Sequence, residues 1–195
     1  MPNGEHERPE DHARLLLVEG RLGGGAEAGL ENGVALARQL SAEWTSPVEL
    51  MVVGQLPPAL RQQVEHESPD VWINWAGVAK RKDVPRLDRS AHVLFSADLN
   101  AACPNSVIEA LACGLPVVSY ATGSLPELIT DEAGQVVPYG SNYWNLEPPQ
   151  VGPLAAAARA ILSDQECFRP GARARAEEAF GVERMVEQYY RVLTE

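Results

Sequence analysis

Short apolar runs alternate with amphipathic stretches along this chain, the pattern of a parallel sheet covered by helices on both faces. Residues 14–20 read as a first strand, followed by a glycine loop at Gly23, Gly24 and Gly25. Leu30, Val34, Ala37 and Trp44 then recur at helical spacing. Residues 48–54 form a nearly continuous apolar run, as expected of a strand buried on both sides. Pro57 and Pro58 open a short helix with Leu60 and Val64 four apart, and 71–75 is the next strand. A polar, basic stretch leads into a short helix around 84–91. The second half repeats the alternation: strand 92–96, helix 104–113 closed by Gly114, strand Val117–Tyr120, and a last short strand at 135–137. Ser124-Leu125-Pro126-Glu127 has the spacing of a capping box, with proline just inside a helix start. Residues 138–153, rich in Pro, Gly, Asn and aromatics, read as a functional or connecting loop, and helices at 154–162, 172–180 and 182–193 complete the chain. This alternation predicts one Rossmann-like three-layer α/β/α domain over 14–195, with a mainly parallel sheet of about six strands. Residues 1–13 are expected to form a flexible tail.

Composition narrows the partners. With 195 residues, 45 % of them apolar and 22 % charged, the chain can bury one sizeable core. Its net charge is −11 and its basic residues are scattered, which disfavours nucleic acid as a ligand. A bound phosphate must therefore be held locally, by backbone N–H groups and a few chosen cations. The three cysteines (Cys103, Cys113, Cys167) lack Cys-x-x-Cys spacing, which argues against a disulfide framework and a structural zinc. No metal or cofactor is expected. The polar first dozen residues lack the apolar stretch of a secretory signal, and no later run reaches membrane-spanning length. A cytoplasmic location is expected, and peripheral association with a membrane is compatible with it.

In a doubly wound sheet, ligands bind outside the carboxyl ends of the strands, so the strand-to-helix turns carry the candidate chemistry. The first turn, Glu19 to Gly25, offers glycines and Arg21 beside a helix start, where a diphosphate would sit. It matches neither the G-x-G-x-x-G dinucleotide fingerprint nor a P-loop, and a flexible loop with a solvent-facing arginine has the same sequence. In the second, Ser96 to Gly114, Val107 and Leu111 anchor a helix whose Glu109 shares a face with Asn105, Ser106 and Cys113. A carboxylate there can accept from both hydroxyls of a ribose; an ordinary exposed helix glutamate looks the same in sequence. The third, Ala121 to Glu127, presents a helix start with Thr122 and Ser124 hydroxyls, which suits a phosphate and also suits self-capping.

Together these segments resemble the retaining GT-B glycosyltransferases, specifically the group 1, family 4-like enzymes. The run PNSVIEALACGLPVVSYATGSLPELI carries the resemblance, with Glu-Ala-x-Ala-x-Gly-x-Pro-Val-Val followed by Gly-x-x-Pro-Glu as its most specific part. It extends over about residues 14 to 193 and corresponds to the C-terminal, donor-binding half of the GT-B fold. The resemblance implies that Glu109 binds the ribose of a nucleotide sugar, with Asn105 and Ser106 beside it. It places Thr122, Gly123 and Ser124 against diphosphate and sugar, Gly20 and Arg21 at the phosphates, and Gly77 and Val78 by the base. The implied donor is a UDP-, GDP- or ADP-linked sugar, and the implied reaction is hexosyl transfer to an acceptor.

Two positions depart from the family pattern. Ala101 stands where a second glutamate, eight positions before Glu109, usually meets the transferred sugar, and Ala26 stands where a lysine is usual. The N-terminal Rossmann domain that holds the acceptor in such enzymes has no counterpart here, and none of His6, His12, His66 and His92 falls at a turn expected to form the site. No catalytic residue is therefore assigned, and His92, at the start of a buried strand, reads as structural. Two functions remain open: the donor half of an enzyme whose other half lies in cis or trans, and a non-catalytic nucleotide-binding or interaction remnant. The last helix bears on both. Met185, Val186, Tyr189 and Val192 recur at helical spacing, a face expected to self-associate or to meet a missing domain.

Overall fold

The computed structural model describes residues 8–21, 27–130 and 132–194. Six parallel strands lie in the order β3-β2-β1-β4-β5-β6. They are β1 (Ala13–Arg21), β2 (Val48–Gln55), β3 (Trp72–Gly77), β4 (Val93–Ser96), β5 (Val117–Tyr120) and β6 (Gly134–Val137). The helices are α1 (Glu27–Glu43), α2 (Pro58–Glu67), α3 (Val84–Ser90), α4 (Asn105–Ala112), the single turn α5 (Leu125–Leu128), α6 (Val151–Ser163), α7 (Gln165–Ala179) and α8 (Val182–Thr194). Central β1 pairs with both β2 and β4, Leu15 lying opposite Leu50 on one side and Val93 on the other.

The period-two side-chain alternation of a strand sorts β1 between two cores. Leu15 and Leu17 pack with Leu30, Leu36 and Leu40 of α1 and Ala155 and Ile161 of α6. Leu16 faces the other way, with Met51, Leu94, Val107 and Leu111 of α4, and Ala172 of α7. Both faces of the sheet are thus apolar and covered, which makes the predicted α/β/α sandwich a finding. His92 sits just before β4, where its Nδ1 accepts from the Arg14 N–H at 3.0 Å, a structural role as expected.

Two elements differ from the sequence reading. Helix α7 begins at Gln165 rather than 172 and runs through Pro170. An interior proline removes one ladder hydrogen bond and costs about 3 kcal/mol. Here the Asp164 side chain caps the start by accepting from the Cys167 N–H, and Phe168, Ala172 and Ala176 are buried. Gly171 lets this helix touch backbone: a Cβ there would lie 2.1 Å from the Glu132 carbonyl oxygen. Packing outweighs the proline. The second difference is the capping box at Ser124, which does not form. Its side chain makes no cap hydrogen bond, and the helix it was expected to start is one turn long. The Ser124 backbone explains this: it is already helical (φ −84°, ψ −4°), so the hydroxyl does not reach back to the N–H groups a cap would bind.

At the amino end of β2, Glu49 is only 2 % exposed yet fully used. It accepts from Arg14 Nε, from Asn74 Nδ2 at 2.7 Å, and is within 3.0 Å of His12 Nε2, whose ring packs on Trp72 at 4.6 Å. Next to it, the exposed edge strand β3 is tied to α2: Trp75 Nε1 donates to Glu65 at 2.8 Å, with Arg61 over the indole ring. Helix α8 has no buried residue; Tyr189, Tyr190 and Leu193 are 66 %, 70 % and 80 % exposed. Among the described residues no helix is long and apolar enough to cross a membrane.

Burial raises the Glu49 carboxyl, but the hydrogen bonds from Arg14, Asn74 and His12 outweigh it and hold the group below its ordinary range. A depressed folded pKa contributes stability that is present above the ordinary carboxylate range and lost as pH falls through the folded value. Glu49→Gln should therefore destabilise at pH 7 by about 2–4 kcal/mol, because it leaves the partly buried Arg14 guanidinium without its charge partner. It should also flatten the acid limb of the stability curve. Urea melts of both proteins at pH 7 and in acid check this; an unchanged acid limb would remove Glu49 from the account.

Candidate functional site

The site is built at the carboxyl ends of the strands. Strand β4 ends at Ser96, and the chain loops through Asp98, Asn100 and Ala101 before Pro104 opens α4. Strand β5 ends at Tyr120, and residues 121–124 turn into α5. These two loops are fastened together. The Ser124 N–H donates to the Ala101 carbonyl at 3.0 Å, and Thr122, itself buried, donates its hydroxyl to the Asp98 carbonyl at 3.4 Å. Gly123 has φ +53°, and a Cβ on it would lie 2.7 Å from the Ala101 oxygen and 2.9 Å from its nitrogen. Only glycine fits against that backbone.

The zipped loops leave polar groups without protein partners. Ser124 Oγ is buried and makes no hydrogen bond. Asp98 is exposed, yet partial desolvation by the loop around it raises its carboxyl above the ordinary range. On α4, Val107, Ala110 and Leu111 face the core while Asn105 and Glu109 are exposed and Ser106 is half-buried. Glu109 makes no hydrogen bond or ion pair among the described residues, so a ligand hydroxyl would not have to displace one.

Other sequence candidates are farther along the rim. Gly77 ends β3 with φ +69° and open space where a Cβ would be, and Val78 beyond it is 72 % exposed. Strands β3 and β4 are separated by three strand spacings, roughly 14 Å. Gly20 and Arg21 close β1, with Arg21 in register with Gln55 of β2. The glycine loop at 23–25 and Ala26 lie outside the described residues. The structure thus gathers Thr122, Gly123 and Ser124 around Ala101, sets Asn105, Ser106 and Glu109 on the adjoining helix, and puts Gly77 and Val78 at the far end of the same rim.

Sequence reasoning missed Asp88. It is the third residue from the end of α3, only 2 % exposed, with Oδ2 unpartnered. Burial, helped by the charge of Glu109, pushes its carboxyl up to about 7, against a hydrogen bond with the Cys113 thiol. Burial also raises that thiol, to about 11. A carboxyl beside Glu109 thus titrates near neutrality. The available signal was position: Asp88 directly follows partly buried Leu87 in a short helix leading into a buried strand.

Six parallel strands covered by helices on both faces, with two loops joined at the β4 and β5 ends, make a Rossmann-like α/β domain, a layout in which ligands bind outside the carboxyl ends of the strands. Residues 13–164 match the family model of glycosyl transferases group 1, and the chain belongs to that family. In sequence, 72 residues are 32 % identical to the O-antigen chain mannosyltransferase B of Escherichia coli, a span that is 37 % of this chain and 19 % of that one. In structure, the chain is similar to the C-terminal domain of a group 1 glycosyltransferase (LpcC) of Francisella tularensis. The TM-score is 0.66 at 19 % identity, over 87 % of each chain. It is also similar to a TarM mutant from S. aureus crystallised with fondaparinux, α-GlcNAc-glycerol and UDP, with a TM-score of 0.69 at 13 % identity. That match covers 97 % of this chain and 38 % of TarM, so the chain spans well under half the length of these larger relatives. The fold is therefore that of a GT-B glycosyltransferase domain.

Because the Asp88 carboxyl is raised in the fold, the folded state holds a proton that the unfolded chain releases from about pH 4 upward. The contribution of Asp88 to stability should fall between about pH 4 and pH 7 and then level off. Asp88→Asn, which has no charge to bury, should be more stable than the parent near pH 8 by about 1–3 kcal/mol and equal to it near pH 4. Equal denaturation midpoints at pH 8 would show that Asp88 is solvated in the native state.

Proposed function

We propose that this chain is the nucleotide-sugar donor-binding domain of a glycosyltransferase that moves a hexosyl group from a UDP-, GDP- or ADP-linked sugar to an acceptor. The observation that carries this reading is the pair of joined loops at the β4 and β5 ends, where Ser124 Oγ is buried without a partner and Glu109 stands free on the adjoining helix. The base would lie by Gly77 and Val78 and the ribose at Glu109, with Asn105 and Ser106 beside it. The diphosphate would lie along Thr122, Gly123 and Ser124 toward Gly20 and Arg21. Exposed N–H groups at the start of α4 and the Arg21 cation suit that anionic group without a metal. The UDP bound to TarM in its crystal structure supports the same class of ligand.

The acceptor would be held by a second Rossmann domain, in cis or trans. The wholly exposed apolar side of α8 favours such a neighbour, or a second copy of this chain, because a patch of that size tends to be covered. Ala101 and Ala26 favour the other reading, a domain that binds nucleotide without transferring sugar.

Calorimetry should show a nucleoside diphosphate binding to the chain alone, and Glu109→Ala should weaken it by about 1–3 kcal/mol, the loss of charge-assisted hydrogen bonds. Equal affinity for both proteins would take Glu109 out of the site. A second expectation separates the two readings. Orientation of acceptor and donor is worth roughly 7–11 kcal/mol of barrier, so the chain alone should release nucleotide from a nucleotide sugar only very slowly. Turnover restored by adding an N-terminal Rossmann partner identifies half an enzyme. Nucleotide binding with no turnover under any pairing identifies the binding remnant, and rapid turnover by the isolated chain overturns both.

A further inference from the structure

The loop at 138–150, which joins β6 to α6, supplies none of the groups assigned to the donor. Its ends are closed on each other and on the sheet. The Gln150 N–H donates to the Tyr139 carbonyl at 2.9 Å, and Tyr120, the last residue of β5, donates its hydroxyl to the Gln150 carbonyl at 3.4 Å. Inside the loop, the Tyr139 hydroxyl donates to the Glu147 carbonyl at 2.8 Å and the Ser141 hydroxyl to the Pro148 carbonyl at 2.7 Å. Asn142 Oδ1 accepts from the Trp144 N–H at 3.0 Å, and the Asn142 N–H donates to the Glu147 carboxylate at 3.1 Å. A surface loop fastened this densely is a compact unit that holds its tip in one place. Its start is tied to the turn that carries Thr122, Gly123 and Ser124, since the Ala121 N–H donates to the Val137 carbonyl at 2.7 Å.

A file of rings runs from the core to that tip. Phe95 meets Tyr120 with centroids 6.4 Å apart, Tyr120 meets Tyr139 at 4.9 Å, and Tyr139 meets Tyr143 at 5.9 Å. Tyr143 then backs Trp144, at 5.1 Å with 31° between the planes. Tyr120 is 1 % exposed and Trp144 71 %. The Trp144 Nε1–H has no hydrogen-bond partner among the described residues. Leu146, also exposed, is the one described non-glycine residue with a positive φ, 54°. Left-handed backbone is unfavourable for such a side chain, so the turn displays an apolar tip at a conformational cost.

The chemistry of the loop narrows what the tip can meet. Residues 138–150 include no Lys, Arg or His and one acid, Glu147, which disfavours phosphate and anionic lipid. Trp144 and Leu146 together fall far short of the roughly 800 Å² per partner of a stable protein contact. A small neutral ligand with one flat apolar face fits both limits. A pyranose has that shape: its axial C–H bonds form a flat patch whose slight positive charge suits the negative face of an indole. Its hydroxyls stay at the edge, in water or within reach of the unpartnered Nε1–H.

We propose that Trp144 is a stacking platform for a neutral hexopyranose, a sugar of the acceptor or product rather than of the nucleotide-bearing donor. The proposal rests on the glycosyltransferase reading for the sugar's presence, because the loop is fastened to the turn that would hold the donor. The stacking itself stands on the loop alone.

The test uses the full chain, with methyl β-D-glucopyranoside and cellohexaose as probes. Glycerol, a polyol without a flat ring face, is the control. Saturation transfer from protein to sugar protons measures binding. The Trp144 indole N–H resonance, identified by its loss in Trp144→Phe, reports where the sugar sits. Both sugars should bind saturably and shift that resonance, and glycerol should do neither. Trp144→Ala should weaken sugar binding at least tenfold and Trp144→Phe by less, with UDP affinity unchanged by calorimetry on the same samples. Trp144→Phe keeps a ring on the Tyr143 face, so the comparison stands if Trp144→Ala fails to fold. No saturable response to either sugar overturns the proposal, and UDP binding retained in those samples leaves the donor reading standing. Sugar binding that survives Trp144→Ala also overturns it and puts the sugar elsewhere on the chain. Absence of UDP binding with the sugar response intact sinks the donor reading and supports the platform.

Discussion

All six strands point the same way, and that one constraint arranges everything else in the molecule. Parallel strands need long crossovers, the crossovers are helices, and the helices must cover both faces, so the central strands become apolar on both sides. The chain moves outward from β1 to β2 and β3, then returns to the other side of β1 to lay down β4, β5 and β6. Between β1 and β4 successive crossovers therefore depart in opposite directions, the switch point outside which ligands of such sheets bind. Loop composition matters only because this topology delivers loops there.

Where the β4 and β5 loops meet, backbone does most of the positioning. Gly123 lies against the backbone of Ala101, and one hydrogen bond from Ser124 locks the two turns together. Neither contact uses the side chain at 101, so the turn geometry is compatible with alanine in place of a longer residue. What alanine changes is the chemistry offered to a ligand. The nearby carboxyl of Asp98 is exposed but raised by partial desolvation, and it sits three residues earlier in the loop than a glutamate at 101 would.

Much of the fold was legible because strand burial is written as continuous apolar runs and helix burial as a 3.6-residue period. Strand 48–54 and helix 104–113 were readable within a residue or two for that reason. Helix α7 was not, since Pro170 and Gly171 read locally as a break. What overrides them is tertiary, the fit of Gly171 on Glu132 and the burial of Phe168. The capping box failed similarly: Ser124 and Glu127 have the right spacing, but the turn places Ser124 in helical backbone geometry. The turns that form the rim were located by topology alone. Asp88 was invisible because its environment comes from α4, twenty residues later in the chain, and no local pattern records that contact.

The binding of edge strand β3 to helix α2 has a consequence for how copies of this molecule meet. An open strand edge is a template on which another chain can extend the sheet. Here Trp75 is turned toward Glu65 and covered by Arg61, while Trp72 packs at a tilt against His12. Bulky, hydrogen-bonded side chains thus crowd a strand whose residues alternate between exposed and half-buried. Growth by strand addition is obstructed on that side. A two-fold pairing of the apolar side of α8 with the same side of a second copy would cover both surfaces at once and close, whereas strand addition would leave a new open edge each time.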